Sequence, residues 1–131
     1  MEESGVDVSR DTEAQGLENL ASKYSNTTDE ITNYKEALKK LKEAEESGDE
    51  ASIESAQANF KEEESMLRLA TKAGELAKQY DLSSKEIEDY AKTLQENSEY
   101  EELSGEELAE MAKDQKRYDR ALQNSTDHIE D

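Results

Sequence analysis

Apolar residues along this chain recur at spacings of three and four, and no stretch alternates apolar with polar positions. That pattern predicts helices and no strand. A first stripe holds Ala14, Leu17, Leu20, Ala21 and Tyr24. Ser25-Asn26 interrupts it, and Thr27-Thr28-Asp29-Glu30 restarts the helix as a capping box, the Thr27 hydroxyl and the Glu30 carboxylate being placed to satisfy orphan amides. Ile31, Tyr34, Leu38 and Leu41 follow as a narrow seam of coiled-coil type. Ser47-Gly48-Asp49 is the best turn, because Gly48 is free to take a positive φ and Asp49 to cap the next helix. That helix runs from about Glu50 to Tyr80, roughly 45 Å at 1.5 Å per residue. It opens one seam with Ile53, Ala56 and Phe60, and a second, offset from it, with Met66, Leu69, Ala73, Leu76 and Tyr80. The polar run Lys61-Glu62-Glu63-Glu64-Ser65 between the seams resembles a stutter and implies a change of partner helix near that point.

Two later helix starts combine a capping box with a hydrophobic staple: Leu82-Ser83-Ser84-Lys85-Glu86-Ile87 and Leu103-Ser104-Gly105-Glu106-Glu107-Leu108. The first helix carries Ile87, Tyr90, Ala91 and Leu94 and dissolves at Glu96-Asn97-Ser98-Glu99. The second carries Leu108, Met111, Gln115, Tyr118, Leu122, Ser125 and Ile129, a seam weakened where Gln115 and Ser125 stand at core-type positions. The expected fold class is therefore all-α: elongated helical hairpins or a coiled-coil-like bundle of about five helices. The helices are placed roughly at 11–24, 27–47, 49–80, 83–97 and 104–129, with residues 11–131 forming a single all-helical domain or array. Residues 1–10 offer little apolar surface beyond Val6 and Val8 and are expected to be a disordered acidic tail.

An internal repeat is the most informative feature. Residues 20–34, Leu-Ala-Ser-Lys-Tyr-Ser-Asn-Thr-Thr-Asp-Glu-Ile-Thr-Asn-Tyr, align without a gap on residues 76–90, with six identities. Leu38 then falls on Leu94, and a partial third copy begins at Leu103. Each unit reads as a helix end, a short break and a recapped helix. The stretch Tyr80-Asp81-Leu82-Ser83-Ser84-Lys85-Glu86-Ile87-Glu88-Asp89-Tyr90-Ala91-Lys92-Thr93-Leu94, and again Leu103 to Lys113, resembles helical segments of phage tail tape measure proteins. The likeness extends in style over residues 12–130 and rests on common helix grammar. It implies a non-enzymatic helical segment acting inside a phage tail or tail-like particle. Members of that family are far longer and usually carry a membrane-active apolar stretch, which this sequence lacks.

Composition narrows the chemistry. Among 131 residues there are 35 Asp and Glu against 16 Lys and Arg, a net charge of −19, with no Cys, Pro or Trp. Leu, Ile, Val and Phe reach only about 15%, below the level of roughly 20% at which disorder becomes the default reading. A disulfide scaffold, a thiolate metal site, cysteine catalysis and a membrane span are excluded. The charge also argues against direct binding to nucleic-acid phosphates or anionic lipid. The opening Met-Glu-Glu-Ser-Gly is acidic and polar where a secretory signal is basic and then apolar, so the chain is expected to be cytoplasmic when made.

Candidate sites compete poorly with structural roles. Glu43 to Glu54 can be laid on a twelve-residue calcium loop with Gly48 sixth and Glu54 twelfth, but Glu43 replaces the shorter Asp and Glu50 stands where an apolar residue belongs. A helical-hairpin turn is the better expectation. His128 has no pocket or orienting partner in view, and Glu62-Glu63-Glu64 and Glu99-Tyr100-Glu101-Glu102 lack the apolar surroundings that set paired carboxylates apart. Of the six tyrosines, Tyr100 lies off any seam and is expected to be the exposed one. Lys113, Lys116, Arg117 and Arg120 form the only basic cluster, read as complementing the helix dipole and neighbouring acids rather than as a binding patch.

No catalytic residue, cofactor or metal is therefore expected. Packing or self-association is assigned to the seam residues Ile31, Leu38, Leu69, Leu76, Ile87, Leu94, Leu108 and Leu122, and helix capping to Thr27, Ser83 and Ser104. The leading expectation is a structural or assembly protein with protein partners, for which the resemblance implies incorporation into a phage or phage-like tail. The alternative is an acidic DNA-mimic inhibitor of a DNA-binding enzyme. Lysines interleaved with acids at helix spacing, as in Glu36/Lys40 and Glu88/Lys92, count against the continuous acidic face a mimic needs.

Overall fold

The computed structural model describes the backbone of residues 2–130 and the side chains of residues 10–125. Among the described residues the chain is all-α, with five α-helices and no strand. These are α1 (Glu2–Ala21), α2 (Thr28–Ser47), α3 (Glu50–Tyr80), α4 (Ser84–Gln95) and α5 (Gly105–Glu130), with 3-10 turns at Ser25–Thr27 and Ser98–Tyr100. The tail expected over 1–10 falls on residues whose side chains lie outside the described ones, except for Arg10. Its guanidinium donates to both carboxylate oxygens of Glu45, at 2.9 and 2.7 Å.

The chain forms two compact units that divide at Arg68–Leu69, within α3. In the first, Ala14, Leu17 and Ala21 of α1 bury against Tyr34 of α2 and Leu67 of α3, with Ile31, Leu38 and Phe60 packed on them. The Tyr34 and Phe60 rings stack at 5.1 Å between centroids. Arg10–Glu45, Asp11–Lys42 (2.7 Å) and Glu18–Lys35 (3.8 Å) pair α1 with α2 in antiparallel order. Exposed pairs of this kind add register more than stability. Between α2 and α3, Gly48 takes φ 75° and its N–H donates to the Ala44 carbonyl. Only a residue without Cβ takes that conformation freely.

In the second unit, Leu69, Ala73, Leu76 and Ala77 of α3 bury against Ile87 and Ala91 of α4 and Leu108, Ala109 and Ala112 of α5. The change of partners in α3 thus falls between Leu67 and Leu69, just past the polar run at 61–65 near which it is expected. Leu67, rather than the Met66 assigned to the seam, is the buried residue beside the change. Five of the nine core residues in this unit are alanines, which let helix backbones approach closely with little aliphatic bulk.

The aligned repeat does not produce a repeated structure. Residues 76–80 stay helical, and α3 ends in a Schellman turn: Asp81 is left-handed at φ 55° and the Leu82 N–H donates to the Ala77 carbonyl at 2.8 Å. In the matching segment α1 already stops at Ala21, and Thr27 is fully buried where its counterpart Ser83 is exposed. The difference lies in which end of the break the hydroxyl serves. Thr27 Oγ1 donates to the carbonyls of Ala21 and Tyr24, at 2.6 and 2.8 Å, and makes no side-chain cap for α2. The capping box expected at Thr27 is thereby corrected: this hydroxyl closes the end of α1.

Candidate protein-interaction surface

The other two caps stand where the sequence puts them. Ser83 Oγ accepts from the Glu86 N–H at 3.3 Å. Ser104 makes the full reciprocal box, its Oγ accepting from the Glu107 N–H and its own N–H donating to Glu107 Oε1, both at 3.1 Å. Both staple residues, Leu82 and Leu103, pack against the second cluster, which contains Ile87 and Leu108. The Ser104 box fixes where α5 starts.

That inward face differs from the seam read in the sequence. Gly105, Leu108, Ala109, Ala112 and Lys113 are the buried residues of the first turns. One helical turn at a time, the stripe continues not with Tyr118 and Leu122 but with the basic cluster. Lys113 Nζ lies 4.9 Å from the centre of the Tyr80 ring, the Arg117 guanidinium 4.6 Å from the same ring, and Lys116 Nζ 5.4 Å from the Tyr90 ring. Arg120 reaches the end of α3, donating to the Asp81 carbonyl at 2.6 Å and standing 3.6 Å from its carboxylate. Of the four cations expected to complement the C-terminal end of their own helix, Arg120 instead serves the end of α3, while Lys113, Lys116 and Arg117 lie over tyrosine rings. Lys113, almost wholly buried, pairs with Asp114 at 2.6 Å, and that hydrogen bond pushes its pKa up against the opposing effect of burial.

Leu122 is consequently 54% exposed and Tyr118 62% exposed, so the assignment of Leu122 to the packing seam is corrected. Tyr118, not Tyr100, is the exposed tyrosine; Tyr100 packs against the second cluster. The remaining seam residues pack inward: Leu69, Leu76, Ile87 and Leu108 are buried, while Ile31, Leu38 and Leu94 are half-buried against their clusters. Met111 is half-buried, at a spacing of seven before Tyr118 in the outward pair Tyr118 and Leu122. Around them, Asp114 is largely exposed and Asp119 accepts a hydrogen bond from Gln115 at 2.9 Å.

The other candidates resolve by geometry. Glu43 to Glu54 is helical except at Gly48-Asp49, so these carboxylates spread along two helices instead of converging as a loop. Asp49 instead accepts from the Ser52 N–H and hydroxyl at the start of α3. Glu64 faces buried Tyr34, whose hydroxyl pKa is pushed up to about 12, first by burial and then by Glu64. Glu99, Glu101 and Glu102 are exposed. His128 lies outside the described side chains. No described helix is long and apolar enough to cross a membrane. Set against known protein families, curated sequences and solved structures, the chain matches none.

Proposed function

We propose that this protein is a non-enzymatic assembly component that holds protein partners on helix surfaces, in the manner of a helical segment of a phage tail tape measure protein. The observation that carries the reading is the two-faced construction of α5. Its cations are engaged on Tyr80, Tyr90 and Asp81, while Tyr118 and Leu122 stand exposed. Tyr118 and Leu122 stand one turn apart on that face, with half-buried Met111 in line before them, so they can act together as a contact strip. The tape-measure aspect rests on the helix grammar of residues 80–94 and 103–113.

The DNA-mimic alternative is favoured by the net charge of −19 and disfavoured by ion pairs such as Glu36–Lys40 and Lys85–Asp89 that break up the acidic faces. The two readings separate in one experiment. Sedimentation velocity is run on the chain alone and mixed with the proteins encoded beside it, alongside inhibition assays on restriction enzymes and nucleases. A stoichiometric complex with a neighbouring protein supports assembly. Absence of any complex, together with tight salt-sensitive inhibition of a DNA-binding enzyme, replaces it with the mimic.

A further inference from the structure

We infer that the outward face of α5, from Met111 through Tyr118 to Leu122, docks an amphipathic, basic α-helix of a partner protein. This deepens the assembly reading and rests on it. Met111, Tyr118 and Leu122 follow at spacings of seven and four, the geometry of one side of a helix–helix seam, and they span roughly 16 Å along the axis. Exposure of the last two is a direct property of the fold, since burial of Leu108, Ala109 and Ala112 turns the opposite side of α5 inward.

The sign of the partner follows from where the charges of α5 go. Lys113, Lys116, Arg117 and Arg120 are drawn onto the tyrosine rings and the end of α3. Asp114 is engaged by Lys113 at 2.6 Å, whereas Glu110 and Asp119 stand exposed on α5 and supply the acidic border of the apolar stripe. The surface is thus an apolar strip bordered by carboxylates, and its complement is an apolar strip bordered by Lys and Arg. A second copy of this chain is the poorer occupant, because each copy brings −19 of charge and the same acidic border.

The test titrates the full chain with two synthetic helical peptides of identical Leu/Lys composition. One has leucines at heptad a and d positions; in the other they are distributed around the helix. Binding is followed by calorimetry at low and high salt. Expected is saturable binding of the first peptide only, weakened about tenfold or more by Leu122→Ser or Tyr118→Ser and weakened again by salt. Circular dichroism on both variants checks that the helix is kept. Equal binding of both peptides, or indifference to both substitutions, overturns the inference by showing attraction of any polycation. A concentration-dependent dimer lost in Leu122→Ser assigns the face to a second copy and also overturns it. A complex with a neighbouring protein that survives both substitutions leaves the assembly reading standing and removes this face from it.

Discussion

Leu108→Ala and Leu122→Ala remove the same atoms from two positions of α5, and the fold assigns them very different consequences. Leu108 is 1% exposed within the second cluster, among Leu69, Ile87 and Ala112. Its truncation loses the full transfer free energy and leaves a cavity among helices already held close by alanines, a cost of about 2–5 kcal/mol. Leu122 keeps 54% of its surface in water. Only the remaining contact is lost, and alanine's better helix propensity offsets part of it, so the cost stays under about 1 kcal/mol. Urea denaturation followed by circular dichroism reads both, with transitions fitted separately if the two units unfold apart. At about 4–8 °C per kcal/mol for a unit of this size, the two variants also separate clearly in melting temperature. A Leu122→Ala penalty equal to that of Leu108→Ala, or a silent Leu108→Ala, would mean that α5 packs on the other face and refute the reasoning.

Local geometry sets three further outcomes. Ser104→Ala should destabilise by about 1 kcal/mol and Ser83→Ala by less, because only Ser104 makes the reciprocal box, whereas Thr27→Val should cost about 0.5–1.5 kcal/mol by removing the hydroxyl's hydrogen bonding, since the Ala21 and Tyr24 carbonyls keep the backbone N–H donors of Tyr24 and Thr27; chemical denaturation ranks the two serines, and equal effects at Ser104 and Ser83 would contradict their different geometry. At high pH, the Tyr34 hydroxyl titrates near 10 when unfolded and about 12 when folded, so its contribution is intact below pH ~10 and lost as pH rises through the folded value. Tyr34→Phe should then hold its melting temperature over that interval better than wild type, and identical alkaline profiles would count against burial of the ring. At low pH, relief of mutual carboxylate repulsion should raise the melting temperature toward pH ~4.5. The Arg10 hydrogen bond holds the Glu45 pKa below its ordinary value, so the gap between wild type and Glu45→Gln persists there. It closes only at lower pH as the folded carboxylate protonates, and closure near neutrality would show that the pair does not form.

Helix content, the Gly48 turn, two of three caps and the partner exchange in α3 are legible in the sequence because each depends on neighbours along the chain. The inward face of α5 is not, and the reason is physical. Periodicity weighs Tyr118 and Leu122 as core and Lys or Arg as solvent, while here lysine and arginine lie over Tyr80 and Tyr90 and carry the packing stripe onward. The low aliphatic content points to disorder for a related reason: alanine supplies most of the second core and is not counted as bulk. Thr27 and Ser83 occupy aligned positions, yet the sequence holds no sign of which end of the break each hydroxyl serves. That depends on the burial of Thr27, a tertiary fact.

Because the chain contains no cysteine, single cysteines can report each face of α5 without background. Thiol labelling rates are measured under native conditions for Ala109→Cys, Ala112→Cys, Tyr118→Cys and Leu122→Cys, each referenced to the unfolded chain. The packing of α5 requires fast labelling at 118 and 122, near the unfolded rate, and strong protection at 109 and 112, where the alanines are fully buried. Protection at 122 in the isolated chain with free reaction at 109 or 112 would reverse the two faces of α5 and contradict the proposed interaction surface.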